Sequence, residues 1–106
     1  MKDKRYILQM IKQKVHESEP NATLILYGSY ARGEEREDSD IDILILLDRD
    51  KEKMSWNEKI EVIYPINSIE LETKTVISPV VYTKKGWANH RVTPYYENVK
   101  KEGIVL

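Results

Sequence analysis

Nine residues, Asp40 to Asp48 (DIDILILLD), constrain this chain more than any others. From Ile41 to Leu47 every residue but Asp42 is apolar. Such a run is far too short to span a membrane. It lacks the alternation of a strand with one wet face, so it predicts a strand buried on both faces. Two carboxylates, Asp40 and Asp42, open it. Residues i and i+2 of a strand point to the same face, so these two acids stand side by side. Neighbouring negative charges in a half-buried place raise each other's pKa. A divalent cation offsets that repulsion. Mg²⁺ suits the position, because it binds through one or two carboxylates together with water and substrate phosphate. There it neutralises charge developing on a phosphate.

Upstream lies a second chemical element. Residues 4 to 17 carry Ile7, Leu8, Ile11 and Val15 at helical spacing. Glu19-Pro20-Asn21 stops that helix. Ala22 to Tyr27 (ATLILY) is a short apolar run between breakers, a predicted strand. Gly28-Ser29 follows at once, at the point where the strand gives way to a turn. Glycine there lets the backbone approach a ligand closely. Backbone amides of the following turn suit an anion, the Ser29 hydroxyl adds a donor, and Arg32 offers a planar fork that fits phosphate. Gly33 lets the chain turn away. Residues 30 to 39 are polar and read as a short helical turn and a loop, with Ser39 holding the turn before the strand. Each feature alone has an ordinary structural reading: a turn, a surface charge, a capped strand end. Their convergence in one strand–turn–strand unit points to a phosphate cradle next to a metal site.

Downstream, a helix is expected over roughly 55 to 72, capped by Ser55 with Glu58 three residues on and broken or kinked at Pro65. Ile60, Ile63, Tyr64, Ile66 or Asn67, and Leu71 outline its apolar face. Thr75 to Thr83 (TVISPVVYT) predicts a strand, and Pro79 puts it at a sheet edge or a bulge. A last helix is expected over 93 to 102, stopped by Gly103. The order helix, strand, strand, helix, strand, helix implies an α/β or α+β layer fold.

A length of 106 residues fits one domain, 1–106. The net charge of -1 supplies no global field for nucleic acid. With no cysteine there is no disulfide, thiolate metal site or cysteine nucleophile. Met1-Lys2-Asp3-Lys4-Arg5 leads into a charged amphipathic segment rather than a signal core. The reading is a soluble cytoplasmic protein without a membrane segment.

Gly28-Ser29, Ala31-Arg32-Gly33 and Ser39-Asp40-x-Asp42 together resemble the signature of the DNA polymerase beta-like nucleotidyltransferases. The likeness is strongest to the small, stand-alone minimal nucleotidyltransferase domains, and its specific part runs from about 22 to 47. It implies a small mixed sheet with helices packed on one face and the site on the other. It implies Mg²⁺-dependent transfer of a nucleoside monophosphate from a nucleoside triphosphate, ATP first, to an acceptor hydroxyl. By match, Gly28, Ser29 and Arg32 bind nucleotide, and Asp40 and Asp42 are catalytic metal ligands. The family also supplies a third carboxylate from a later strand. Thr75 to Thr83 has none, which leaves Glu72, or Glu70, as the candidate. Minimal members pair with a helical HEPN-type protein in toxin–antitoxin systems, so such a toxin is the implied partner. The alternative is a non-catalytic antitoxin-like subunit that keeps the fold. Trp56, Trp87, Tyr95 and Tyr96 read mainly as core aromatics, and His16 and His90 receive no role.

Overall fold

The computed structural model describes residues 4–106; Met1-Lys2-Asp3, the start of the charged N-terminal stretch, lies outside the described residues. The central apolar run forms β2 (Ile41–Leu47), and all but Asp42 of it is buried. It pairs antiparallel with β1 (Thr23–Tyr27) and parallel with β3 (Ile77–Thr83). A two-residue strand, β4 (Ile104–Val105), runs antiparallel to the other side of β1. The order across the sheet is β3-β2-β1-β4. β3 is therefore an edge strand, which explains how Pro79 is accommodated without breaking a central ladder.

Alternation sorts β1 and β2 into two faces. Leu24, Leu26, Ile41, Ile43, Ile45 and Leu47 point to one. There they meet Ile7, Ile11 and Val15 of α1 (Lys4–Ser18), Val62 of α3 (Trp56–Ile63), and Ile66 and Ile69 of α4 (Ile66–Thr73). This is the expected helical layer. The opposite face carries Asp42, Leu44 and Leu46. Beyond Asp42 it is covered by two elements: α5 (Lys84–Ala88), which brings Trp87, and α6 (Pro94–Glu102), which brings Val99. Tyr27, Tyr82, Tyr95 and Tyr96 pack around that second cluster. Neither α5 nor β4 was apparent from periodicity; five and two residues are too few to carry one.

The helix expected over 55 to 72 is two helices, with the break at Tyr64-Pro65. Ser55 and Glu58 form a full capping box at its start, as the residue pair predicts. The expected apolar face holds only in part. Ile66 is buried and Ile63 packs against the core, but Tyr64 and Leu71 are 71% and 82% exposed, and Val62 and Ile69, outside the expected face, are buried. Val62, Ile66 and Ile69 lie at i, i+4 and i+7, so the buried stripe keeps one helical phase across the break, and Tyr64 and Leu71 belong to the other, exposed side. Gly103 does end α6, but in extended rather than left-handed conformation, because the chain continues straight into β4.

One charged cluster and one side-chain hydrogen bond fasten the periphery. The Arg49 guanidinium pairs with Glu19 after α1 and with Glu58 of α3. His16 bonds the Ala22 carbonyl at 2.9 Å, between α1 and β1. Of the four aromatics read as core, Trp87 is buried, Tyr95 and Tyr96 are half-buried, and Trp56 is 75% exposed. No described helix is long and apolar enough to cross a membrane.

Candidate functional site

The site forms where β1 ends and β2 begins. Tyr27, the last residue of β1, is the antiparallel partner of Asp42. Gly28 follows with φ 77° and ψ -157°, and one helical turn, α2 (Ser29–Arg32), reverses the chain. The Ala31 and Arg32 amides bond back to the Gly28 carbonyl, each at 3.1 Å. Gly33, left-handed with φ 71°, then ends the turn. The Ser39 hydroxyl accepts the Arg36 amide at 2.7 Å, and the Ser39 amide donates to the Arg36 carbonyl at 3.0 Å. The loop is thus closed just before β2, as expected of Ser39.

This turn lays the loop against the acid pair. A Cβ on Gly28 would stand 2.2 Å from Asp42 Oδ2. The glycine therefore permits a close approach between the loop backbone and a carboxylate. Asp42 is half-buried on the sheet's second face, and Asp40 precedes β2 and is exposed. Asp40 Oδ2 accepts a hydrogen bond from Ser78 Oγ at 3.1 Å. Ser78 is also the β3 residue that lies beside Asp42 in the parallel register.

Burial pushes the Asp42 carboxyl up from its ordinary pKa, the charge of Asp40 pushes the same way, and Arg32 opposes both. Both effects oppose the charged form, and a cation beside the pair would offset them. Among the described residues, no group of three or more Asp, Glu, His or Cys gathers to hold a metal. The donor set is two carboxylates, which fits Mg²⁺ completed by water and phosphate oxygens rather than an all-protein cage.

Arg32 leans over the loop. Its Nε donates to Glu34, and its Nη1 donates to both oxygens of Glu102, at 3.1 and 3.3 Å. Glu102 Oε1 also accepts the Gly28 amide at 3.2 Å. Glu102 was not among the expected site residues. It ends α6, seventy residues from Arg32, and no local pattern marks it. Tyr27 and Tyr95 join their hydroxyls at 2.9 Å beside the same acids. Burial raises the Tyr27 pKa, and the Asp42 charge adds to that rise.

The structure thus brings together Gly28, Ser29, Arg32, Asp40 and Asp42. It does not bring Glu72 to them. Glu72 is exposed on α4, which packs on the opposite face of the sheet. Glu70 is used elsewhere: its Oε2 accepts the Ile77 amide at 3.0 Å and anchors the start of β3.

A strand ending in Gly-Ser, one helical turn, and two acids on the next, antiparallel strand form a specific arrangement. The model of the nucleotidyltransferase domain family matches residues 8–104. The chain belongs to that family. Two relatives come from Methanocaldococcus jannaschii. "Putative protein adenylyltransferase MJ0141" is 43% identical over 61 residues, 58% of this chain and 59% of that protein. "Putative protein adenylyltransferase MJ0604" is 36% identical over 83 residues, 78% of this chain and 75% of that protein. The match thus spans less than two thirds of the first relative's length. Among solved structures, a toxin–antitoxin with AMP-PNP superposes with a TM-score of 0.61 at 18% identity, covering 92% of this chain and 70% of that one. A mutant of the toxin–antitoxin MntA-HpeT gives a TM-score of 0.59 at 18% identity, covering 100% and 72%. At that identity the likeness concerns the fold.

Proposed function

We propose that the domain transfers a nucleoside monophosphate from a nucleoside triphosphate to a protein hydroxyl, with ATP as the donor. The observation that carries this reading is the contact between Gly28 and Asp42: it joins a phosphate-type loop to a carboxylate pair. The names of the two archaeal relatives support an adenylyl donor and a protein acceptor. In this reading the Gly28 amide, the Ser29 hydroxyl and Arg32 bind the phosphates. Asp40 and Asp42 would hold Mg²⁺, which supplies charge neutralisation to the triphosphate when bound. Ser78 orients Asp40 through its hydrogen bond. The acceptor oxygen forms a bond to the α-phosphorus, pyrophosphate leaves, and the acceptor's proton passes to water. The acceptor is proposed to lie on a small helical HEPN-type toxin, in keeping with the toxin–antitoxin setting of the structural neighbours. The protein is read as cytoplasmic.

Incubation with labelled ATP, Mg²⁺ and the cognate toxin tests this. Label should pass to the toxin, and Asp42→Asn should stop it. No label on the toxin with wild type sinks the reading.

One observation favours a second reading. Among the described residues no third carboxylate joins Asp40 and Asp42 in a group that could hold a metal. A non-catalytic antitoxin that neutralises its partner by occlusion needs no third. It predicts full neutralisation by Asp40→Asn and Asp42→Asn, whereas the transfer reading predicts its loss.

A further inference from the structure

Glu102 has no part in the phosphate-transfer chemistry above, yet its carboxylate lies on two of the three groups assigned there to phosphate. Oε1 accepts from the Gly28 amide at 3.2 Å and from Arg32 at 3.3 Å, and Oε2 accepts from Arg32 at 3.1 Å. A carboxylate bound by one backbone amide and an arginine is held much as a phosphate oxygen pair is held. These contacts are set by tertiary structure. Val99, one turn earlier, is buried against the sheet, and Tyr95 bonds Tyr27. Together they carry the end of α6 over the loop.

The placement is costly on other grounds. Glu102 adds negative charge beside Asp42 and raises the pKa of that carboxyl further. It also sits at a helix C-terminus, where the dipole disfavours an acid. Against these stands an ion pair whose side chains are 46% and 22% exposed. Such pairs are weak, so the contact is one that a polyanion can displace.

We propose that Glu102 is a built-in competitor for the phosphate cradle, a carboxylate latch on Gly28 and Arg32 that incoming nucleotide must displace. The proposal rests on the reading of Gly28 and Arg32 as phosphate ligands. It makes the free domain a weak binder of nucleotide. Any partner that lifts the end of α6 then raises nucleotide affinity without touching the acid pair.

The test uses the full chain and three variants, Glu102→Gln, Glu102→Ala and Glu97→Gln. Glu97 is exposed on the same helix, away from the cradle, and its change alters net charge by the same amount. Calorimetry would measure the Kd of AMP-PNP and of inorganic tripolyphosphate in Mg²⁺, with circular dichroism confirming the fold of each protein. Both Glu102 variants should bind about fivefold more tightly, the scale set by an exposed ion pair. KM for ATP should fall with kcat unchanged, and Glu97→Gln should bind like wild type. Unchanged or weaker binding by the Glu102 variants overturns the latch, and weaker binding identifies Glu102 as a positioning residue for Arg32. An equal gain from Glu97→Gln also overturns it, leaving only net charge. If wild type and all variants fail to bind either ligand, the phosphate-site reading itself falls and takes the latch with it.

Discussion

Alanine at Gly28 places a methyl group where a carboxylate oxygen already stands. Two costs follow, and they are separable. The backbone at φ 77° and ψ -157° lies in a region that is essentially glycine-only, which costs about 1–3 kcal/mol for another residue. The new Cβ would also lie 2.2 Å from Asp42 Oδ2 and 3.1 Å from its Cγ. Asp42 must rotate away, at about 0.5–1.5 kcal/mol for an off-rotamer side chain. The sum is roughly 3 kcal/mol. For a domain near this size each kcal/mol lowers Tm by about 4–8 °C, so Tm should fall by about 12–24 °C. Urea unfolding of Gly28→Ala in two backgrounds, wild type and Asp42→Ala, separates the costs. Without the Asp42 carboxylate only the backbone strain remains, so the penalty should drop by about 1 kcal/mol. An equal penalty in both backgrounds would refute the close approach of loop and carboxylate. A penalty below about 0.5 kcal/mol in wild type would refute the backbone conformation as well.

The other left-handed glycine behaves differently. Gly33 has φ 71° with open space around its Cβ position, so Gly33→Asn should change stability by less than about 1 kcal/mol, measured by the same unfolding. Asp42→Asn should leave the fold intact and, without Mg²⁺, stabilise it, because burial and Asp40 oppose the charged form; a thermal melt checks the sign. Ser78→Asp would put a third acid beside Asp42. The variant should melt lower than wild type without Mg²⁺ and gain more Tm on adding it, the like-charge cost being about 0.2–1 kcal/mol. Glu58 is held down at about 2 by its bond to Lys51 and then by the Ser55 amide. Its folded pKa lies below the ordinary 4.5. The stability it contributes is therefore complete above that pH and lost between about 4.5 and 2. Glu58→Gln should flatten the stability profile across that window.

Much of this protein is local and therefore legible in its residue order. β2 follows from seven residues that are apolar at all positions but one, and Asp40 and Asp42 are paired by the two-residue period of a strand. Gly28 and Gly33 mark backbone that other residues resist. Ser55 and Glu58 name a helix start, and Pro79 names an edge strand. These are interactions within a few residues, and local chemistry decides them.

The rest depends on which surfaces meet. The buried face of α3 and α4 differs from the expected one because apolar residues lie on more than one side of these helices: Ile60, Tyr64 and Leu71 stay exposed while Val62, Ile66 and Ile69 meet the sheet. Trp56 and Trp87 are the same residue type with opposite fates, one exposed and one buried; composition does not distinguish them. Most of all, Glu102 reaches Gly28 and Arg32 only because Val99 docks on the sheet and β4 completes its edge. Asp40 and Asp42 sit two residues apart, so strand geometry alone puts them together. Glu102 lies seventy residues from Arg32, and only the packing of α6 brings a third carboxylate to the loop, on the donors that a nucleotide needs.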